Sequence, residues 1–505
     1  MDSFSYLLAG FAAAFSPENL LFLVIGVTLG MVVGVLPGLG PATGIALLIP
    51  LTTSLDPLTA LIMLAGIYYG SQYGGSVTSI LLRTPGEASS VMTAIDGYEM
   101  SRKGQAGRAL AISAVASFVA GTLTIPLLMV LAPALTSLAL SFGPPELFAL
   151  MLFALISVAT MTARSQRAKS IAACAIGVWI STIGFDPQTG QDRFTFGVDQ
   201  LLLGVAFIPV VIGVFAIAEV LRQVGTPSEK PIRTRFRDML LTRKDVKDTA
   251  APIGRSTFLG FFLGAIPGAG ATIASYFAYD VEKRIGRNRA QFGKGAIEGV
   301  AAPEAANNSA VNGAFIPALT LGIPGSATTA ILLGAMILYG IAPGPNLLND
   351  EPELVWGLIS SFYLGNVLLL VMALLFVPAF ASLLRIPYSL LYPVIIAVSL
   401  FGGFSIANSM LDVWMVVLFG AVGLLMARFG YPAPPLVLGL ILGGMMETAL
   451  IQSSSMGRGD LSLFFTRPLS LALLIGTALL LLVPPVVVSI RLNRMKTAER
   501  AERVR

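Results

Sequence analysis

A motif written twice constrains this chain more than anything else in it. Gly34 to Pro41 reads GVLPGLGP and Gly264 to Ala271 reads GAIPGAGA, each interrupting an otherwise apolar helical stretch. Pro37 and Pro267 remove a helical donor and end the preceding helix, while Gly38, Gly40, Gly268 and Gly270 leave the backbone open to close approach. The surroundings suit a bilayer: 55% of residues are hydrophobic, 12% are charged and mean hydropathy is +0.82, against roughly 25% charged in soluble domains. A helix broken at membrane depth exposes backbone that lipid cannot satisfy, so the break survives only against protein, water or a bound solute. The sequence thus reads as an all-α polytopic membrane protein that handles a solute.

At about 20 residues per span, a chain of 505 residues has room for ten to thirteen membrane segments. The apolar runs are Leu110–Leu135, Glu146–Thr162, Ser170–Gly184, Leu201–Leu221, Phe258–Tyr279, Val355–Leu384, Leu391–Phe401, Val413–Ala427, Leu436–Ile451 and Leu469–Ile490. Met1 to Ser54 holds no Lys or Arg, so the first segment lacks the basic region of a signal peptide. By the positive-inside rule the N-terminus lies outside, and the loop with Arg83, Arg102, Lys103 and Arg108 lies in the cytoplasm. The basic segment Arg222 to Lys247 and the tail from Arg491 to Arg505 are cytoplasmic on the same reasoning.

Several chemistries drop out. No histidine is present, which removes HExxH zinc sites, Ser-His-Asp triads and histidine proton relays. The GKG at Gly293–Gly295 lacks the spacing and hydroxyl of a phosphate loop, so ATP does not drive the chain. The lone Cys174 builds no disulfide or thiolate site and reads as a small buried thiol. The net charge of +5 reflects topology signals rather than nucleic-acid binding, and neither an enzyme nor a resident cofactor or metal is expected.

A second correspondence lies downstream. TPGEAS at Thr84–Ser89 matches IPGSAT at Ile323–Thr328, an offset of 324 − 85 = 239, and Gly74 and Gly313 each lie 11 residues before their Pro-Gly. The first pair gives 267 − 37 = 230. Two landmarks in order at nearly equal offsets indicate duplicated halves: a first repeat over 1–222, a basic linker over 223–252, a second repeat over 253–490 and a basic tail over 491–505. Loop charge starts the first copy outside and the second at the cytoplasmic linker, so the repeats are expected to be inverted, with broken or re-entrant helices meeting near the midplane.

Helices restarting at Thr43 and Thr272 aim free N–H groups at the breaks, and each helix N-terminus carries roughly half a positive charge. Such ends favour a carboxylate without a buried Lys or Arg. Pro37, Gly38, Gly40, Pro267, Gly268, Gly270 and Gly325 form the candidate substrate backbone. Thr43, Ser76, Thr78, Ser79, Thr272, Ser326, Thr328 and Asn312 are the neighbouring polar candidates, although Ser and Thr also bond back within membrane helices. The stretch APEAANNSAVNG, Ala302–Gly313, sets Glu304, Asn307, Asn308 and Ser309 in an apolar frame. With unwound backbone these offer hard ligands for Na⁺, or in the case of Glu304 a proton site; a polar contact between helices or a water-lined loop is the competing reading, and for Glu304 a helix cap. Glu87 and Asp280 read as interfacial.

The paired PGLGP and PGAG breaks, GKGAIEGVAAPEAANNSA, LTLGIPGSATTAILLGAM and YPAPPLVLGLILGGMME together resemble the large membrane subunit of the tripartite tricarboxylate transporter family over nearly the whole chain. The resemblance implies a secondary active importer of carboxylates such as citrate or a dicarboxylate in the bacterial inner membrane. It implies Na⁺ or H⁺ as coupling ion, a separate small four-helix membrane subunit and a periplasmic solute-binding protein, and it suggests an elevator-type movement. Loops at Asp186–Asp199 and Asp350–Glu353 are the expected docking places. The rival is a passive anion channel or pore, since broken helices also line filters.

The inversion makes a prediction. Cysteines placed singly in 83–108 and in 223–250 should react with a membrane-impermeant maleimide from the same, cytoplasmic, face; opposite faces would remove the inverted arrangement.

Overall fold

The computed structural model describes residues 3–482 apart from 163, 225–235, 385 and 387. The expected basic tail, 491–505, and part of the linker lie outside the described residues. The first half runs α1 (Ser3–Ala14), α2 (Pro17–Val35), α3 (Pro41–Thr52), α4 (Pro57–Leu82), α5 (Val91–Arg102), α6 (Ala106–Ala139), α7 (Pro144–Met161) and α8 (Arg167–Ser181). A two-residue strand pair, Gly184–Phe185 with Asp192–Arg193, leads to α9 (Phe207–Val211), a π-helical turn (Ile212–Ile217) and α10 (Ala218–Gln223). The second half runs α11 (Arg243–Gly264), α12 (Gly270–Ile285), α13 (Glu298–Leu321), α14 (Ala327–Leu338), α15 (Leu347–Asp350), α16 (Pro352–Leu383), α17 (Tyr388–Ala407), α18 (Met410–Arg428), α19 (Ala433–Met456), α20 (Leu463–Thr466) and α21 (Pro468–Leu482). Among the described residues seven helices are long and apolar enough to cross a membrane, with four shorter apolar helices beside them. The protein is an all-α polytopic membrane protein.

Three expectations change. The run Leu201–Leu221 is a continuous helix only from Phe207 onward, and that helix carries a π-helical turn over Ile212–Ile217 before it ends at Gln223. Phe258–Tyr279 holds the expected break, between α11 and α12, but α11 starts as far back as Arg243, where Thr242 and Asp245 form a capping box. Ala302–Gly313 is not unwound: it lies inside the continuous, buried helix α13, so its backbone oxygens serve the helix ladder.

Glycine sets how the helices meet. A Cβ on Gly30 would lie 2.4 Å from Ile67 O and one on Gly34 2.2 Å from Ser71 O, so α2 rests on the backbone of α4. The same contact recurs in the second half, where Gly260 would meet Ala306 O at 2.4 Å and Gly264 would meet Ala310 O at 2.2 Å. The offsets repeat those of the motifs, 264 − 34 = 230 on one helix and 310 − 71 = 239 on the other. Gly74 and Gly313 continue the pattern from the opposite helices, against Met31 O and Phe261 O. Two unit ends also match: α4 stops at left-handed Arg83 and α13 at left-handed Gly322, and 322 − 83 = 239. Small residues let backbones approach where lipid supplies no hydrophobic drive between helices.

A further clasp joins the halves. Asp96 of α5 is fully buried and accepts from Gly295 N at 2.7 Å, Ala296 N at 2.9 Å, Gly293 N at 3.1 Å and Tyr279 Oη at 2.8 Å. The loop before α13 is thereby held to the first half, and Gly299 is required there because its Cβ would strike the Asp96 carboxylate.

Gly264→Ala should lower thermal stability in detergent by about 1–3 kcal/mol, the usual cost of overpacking. Gly254 of the same helix faces open space, so Gly254→Ala should be neutral or stabilising by up to about 1 kcal/mol. Equal melting curves for the two variants would remove the packing role of Gly264.

Candidate functional site

The breaks converge. A cavity of about 850 Å³ is lined by Gly38, Gly40 and Thr43 from the first break and by Gly268, Gly270 and Thr272 from the second. Pro85 to Ser89 and Ser326 to Thr328, from the two downstream Pro-Gly turns, complete that side. The opposite wall comes from Val158 and Met161 of α7, Val214 and Phe215 of the π-helical turn, Glu219 and Arg222 of α10, Gly423 and Ala427 of α18, and Tyr431 to Pro435 at the start of α19. Gly38 and Gly268 are left-handed, at φ 82° and 85°, which lets each chain turn sharply into the cavity wall.

Five helices therefore begin at this cavity: α3, α5 through its preceding 3₁₀ turn, α12, α14 and α19. First-turn N–H groups lack intrahelical acceptors and carry the positive end of the dipole. In α14, Ser326 Oγ takes the Thr329 N–H, leaving those of Ala327 and Thr328. In α19, Pro434 and Pro435 remove two donors. The charged residues among the lining are Glu87, Glu219 and Arg222, and Arg222 donates to Glu219 at 2.9 Å.

Contacts tie the breaks to one another and to the opposite wall. Gly268 N donates to Gly325 O at 3.1 Å, joining the break before α12 to the break before α14. Tyr68 Oη lies 3.4 Å from Ser326 Oγ. Across the cavity Thr43 Oγ1 donates to Phe215 O at 3.3 Å and Gln223 Nε2 to Pro37 O. Gly268 sits so close to Val158 Cα that a Cβ would lie 2.5 Å from it.

Pro37, Pro267 and Gly325 stand behind the cavity wall rather than on it, and so do Ser76, Thr78, Ser79 and Asn312. Thr78 and Ser79 bond back to Gly75 O, while Ser79 also reaches Ser90. Ser76 is one of three hydroxyls, with Thr93 and Ser113, that donate to the buried Glu304 carboxylate. Glu304 opens a ladder between α13 and α6: Ser113 donates to Glu304, Asn308 Nδ2 to Ser117 at 2.7 Å, and Asn312 Nδ2 to Gly121 O at 3.0 Å, each pair 191 residues apart. Tyr69 donates to Asn312 Oδ1, and Ser309 bonds back to Ala306 O where Gly260 crosses. Of these groups Asn308 Oδ1 is buried without a partner. Glu304 is no helix cap; it lies in the second turn of α13.

Glu87 departs from its expected interfacial place. It lines the cavity, and its carboxylate accepts from Ser89 Oγ and from Asn307 Nδ2 at 3.3 Å. The Gln72 amide, turned so that both its ends are satisfied, donates to Glu87 Oε2 at 2.9 Å and reaches Asn307 Oδ1 at 3.0 Å. Asn307 thus faces the cavity through Glu87. Asp280 pairs with Arg284 at 2.8 Å on the surface of α12. Tyr68, Gln72 and Tyr431 to Pro435 also line the cavity and are absent from the candidates read from the sequence; the clustered prolines of YPAPP, a helix-start signal, point to the last of these.

The chain matches the tripartite tricarboxylate transporter TctA family over residues 20–438. It is similar to an uncharacterized 52.8 kDa protein in the TAR-I ttuC′ 3′ region of Agrobacterium vitis, 43% identical over 497 residues that cover 98% of this chain and 99% of that protein. It is also similar to an uncharacterized protein in the TAR-II ttuC′ 3′ region of the same organism, 42% identical over 235 residues, 46% of this chain and 97% of that protein. No solved structure matches it. The family match spans both Pro-Gly breaks, both downstream turns and every helix start at the cavity: the chain belongs to the tripartite tricarboxylate transporter TctA family and is a multi-pass membrane component of such a transporter.

Proposed function

We propose that the protein imports a carboxylate across the bacterial inner membrane by secondary active transport, with the substrate held in the cavity at the helix breaks. The observation that carries this reading is the set of five helix starts around one cavity, which offers an anion N–H donors and dipoles without the desolvation cost of a buried Lys or Arg. A tricarboxylate such as citrate and smaller dicarboxylates both suit backbone donors. Import is coupled to Na⁺ or H⁺, and the buried Glu304, Asn307, Asn308 and Ser309 are the proposed coupling cluster. The repeats are inverted, N-terminus periplasmic and C-terminus cytoplasmic, and transport proceeds as an elevator in which the elements carrying the breaks move against α7, α10, α18 and α19.

Two further chains complete the proposal, a small four-helix membrane subunit and a periplasmic solute-binding protein. The loop between α8 and α9 suits docking, since Phe196 and Leu203 are exposed on it while Arg193, held by Glu447, fixes its base.

Proteoliposomes holding the three chains should accumulate a labelled di- or tricarboxylate only under an imposed Na⁺ or pH gradient, and should show counterflow. Flux that merely equilibrates, without counterflow, would make the protein a passive anion pore. A Cβ on Gly40 meets ordinary contact with Glu87 at 3.5 Å, so Gly40→Ala should insert normally yet raise the KM for uptake about tenfold by narrowing the cavity wall, a loss of about 1.4 kcal/mol. An unchanged KM would move the substrate elsewhere.

Asn308→Ala tests the deep cluster. Gradient-driven uptake should fall at normal membrane insertion, and uptake equal to that of the unmodified protein would take Asn308 out of coupling.

A further inference from the structure

The cavity poses an electrostatic problem for the reading just given. Its lining holds Glu87, Glu219 and Arg222 as charged residues, and Arg222 is already engaged by Glu219. Glu87 is left as a carboxylate on the wall of a site that is to receive a carboxylate. Two like charges sharing one cavity disfavour each other.

Glu87 is built into its position. Gly75 makes room for its side chain, since a Cβ there would lie 2.9 Å from Glu87 Cγ. Its oxygens meet donors from three places: Ser89 beside it, Gln72 of α4 and Asn307 of α13. The titratable groups facing it are Tyr68 of α4 and Glu304 of α13, with Glu219 and Arg222 across the cavity, and none of these is a free cation. The duplication adds a second observation. At the offset of 239 that relates α4 to α13, Glu87 corresponds to Ser326, 326 − 87 = 239, and Ser326 also lines the cavity, capping α14. Related positions of the two halves thus present one hydroxyl and one carboxylate to the same space, an asymmetry that distinguishes a place for an anion from a place for a cation.

We propose that Glu87, bonded to Asn307 of the deep cluster, is the member of the coupling set at which the cation meets the substrate: its carboxylate is neutralised by a monovalent cation, a proton or Na⁺, before a carboxylate occupies the cavity. This rests on the carboxylate reading of the site. The order of events follows from charge alone. With the cation on Glu87 the helix starts act on the anion unopposed; without it, the anion is repelled. By reciprocity the anion strengthens cation binding equally.

The test is citrate and succinate binding to the purified protein in nanodiscs, by calorimetry, at several pH values and with NaCl or choline chloride. In the unmodified protein, affinity should rise as pH falls, up to about tenfold per unit for one linked proton, or should rise with Na⁺ at fixed pH. The first outcome names the proton and the second Na⁺. Glu87→Gln should bind citrate with neither dependence, and retention of the full dependence overturns the proposal while leaving the carboxylate site standing. No binding of either acid to the unmodified protein under any condition overturns the carboxylate reading and this one with it. Carbodiimide modification of the unmodified protein, read by peptide mass spectrometry, needs no variant: modification at Glu87 should increase as pH falls, or decrease on adding Na⁺. Modification at Glu87 indifferent to both overturns the proposal.

Discussion

Everything at the cavity depends on the backbone-to-backbone contact of α2 with α4 and of α11 with α13. A broken helix is tolerable in a membrane only where its loose ends are covered, and these two pairs supply the cover. Gly34 and Gly264 bring the last turn before each break against the long neighbouring helix, so that the turns at Pro37 and Pro267 open into protein rather than lipid. The downstream turns use the same surface: Cβ atoms on Gly86 and Gly325 would lie 2.5 Å and 3.0 Å from Gly34 O and Gly264 O. Each half thus stacks two chain turns on one glycine-lined crossing, and the two stacks share one cavity.

How far the sequence discloses this arrangement follows from what each residue type demands. Glycine and proline impose backbone requirements wherever they occur, so the two breaks and the two Pro-Gly turns were legible, and their offsets of 230 and 239 reappear as contacts between helices. The polar stretch of α13 was legible as unusual but not as a ladder, because its partners Ser113, Ser117 and Gly121 lie 191 residues away and look unremarkable in α6. Its composition suggested unwinding; satisfied side chains on a partner helix allow a polar run to stay helical in an apolar frame. Glu87 was misjudged for a related reason. A carboxylate in a short loop between helices usually marks a membrane edge, and only the folding of that loop onto Gln72 and Asn307 places it at the cavity.

The polar groups of the core are distributed unevenly around the cavity. On the side of the breaks, hydroxyls and amides from α4, α5, α6 and α13 meet in a connected set that runs from Glu87 through Gln72 and Asn307 to Ser76 and Glu304. Connected buried networks hold their members in one arrangement. The facing wall meets this side through Gln223 on Pro37, Thr43 on Phe215 O and the bare approach of Gly268 to Val158.

The Asp96 clasp bears on that contrast. A carboxylate that gathers three amide protons and a phenol from the opposite half works as a rivet, and neither it nor its donors line the cavity. Among the described residues, shear between the walls would break two side-chain hydrogen bonds at that seam, those of Thr43 and Gln223, whereas parting the halves would strip the buried Asp96 of four donors. The line of least resistance in this fold therefore passes through the cavity itself.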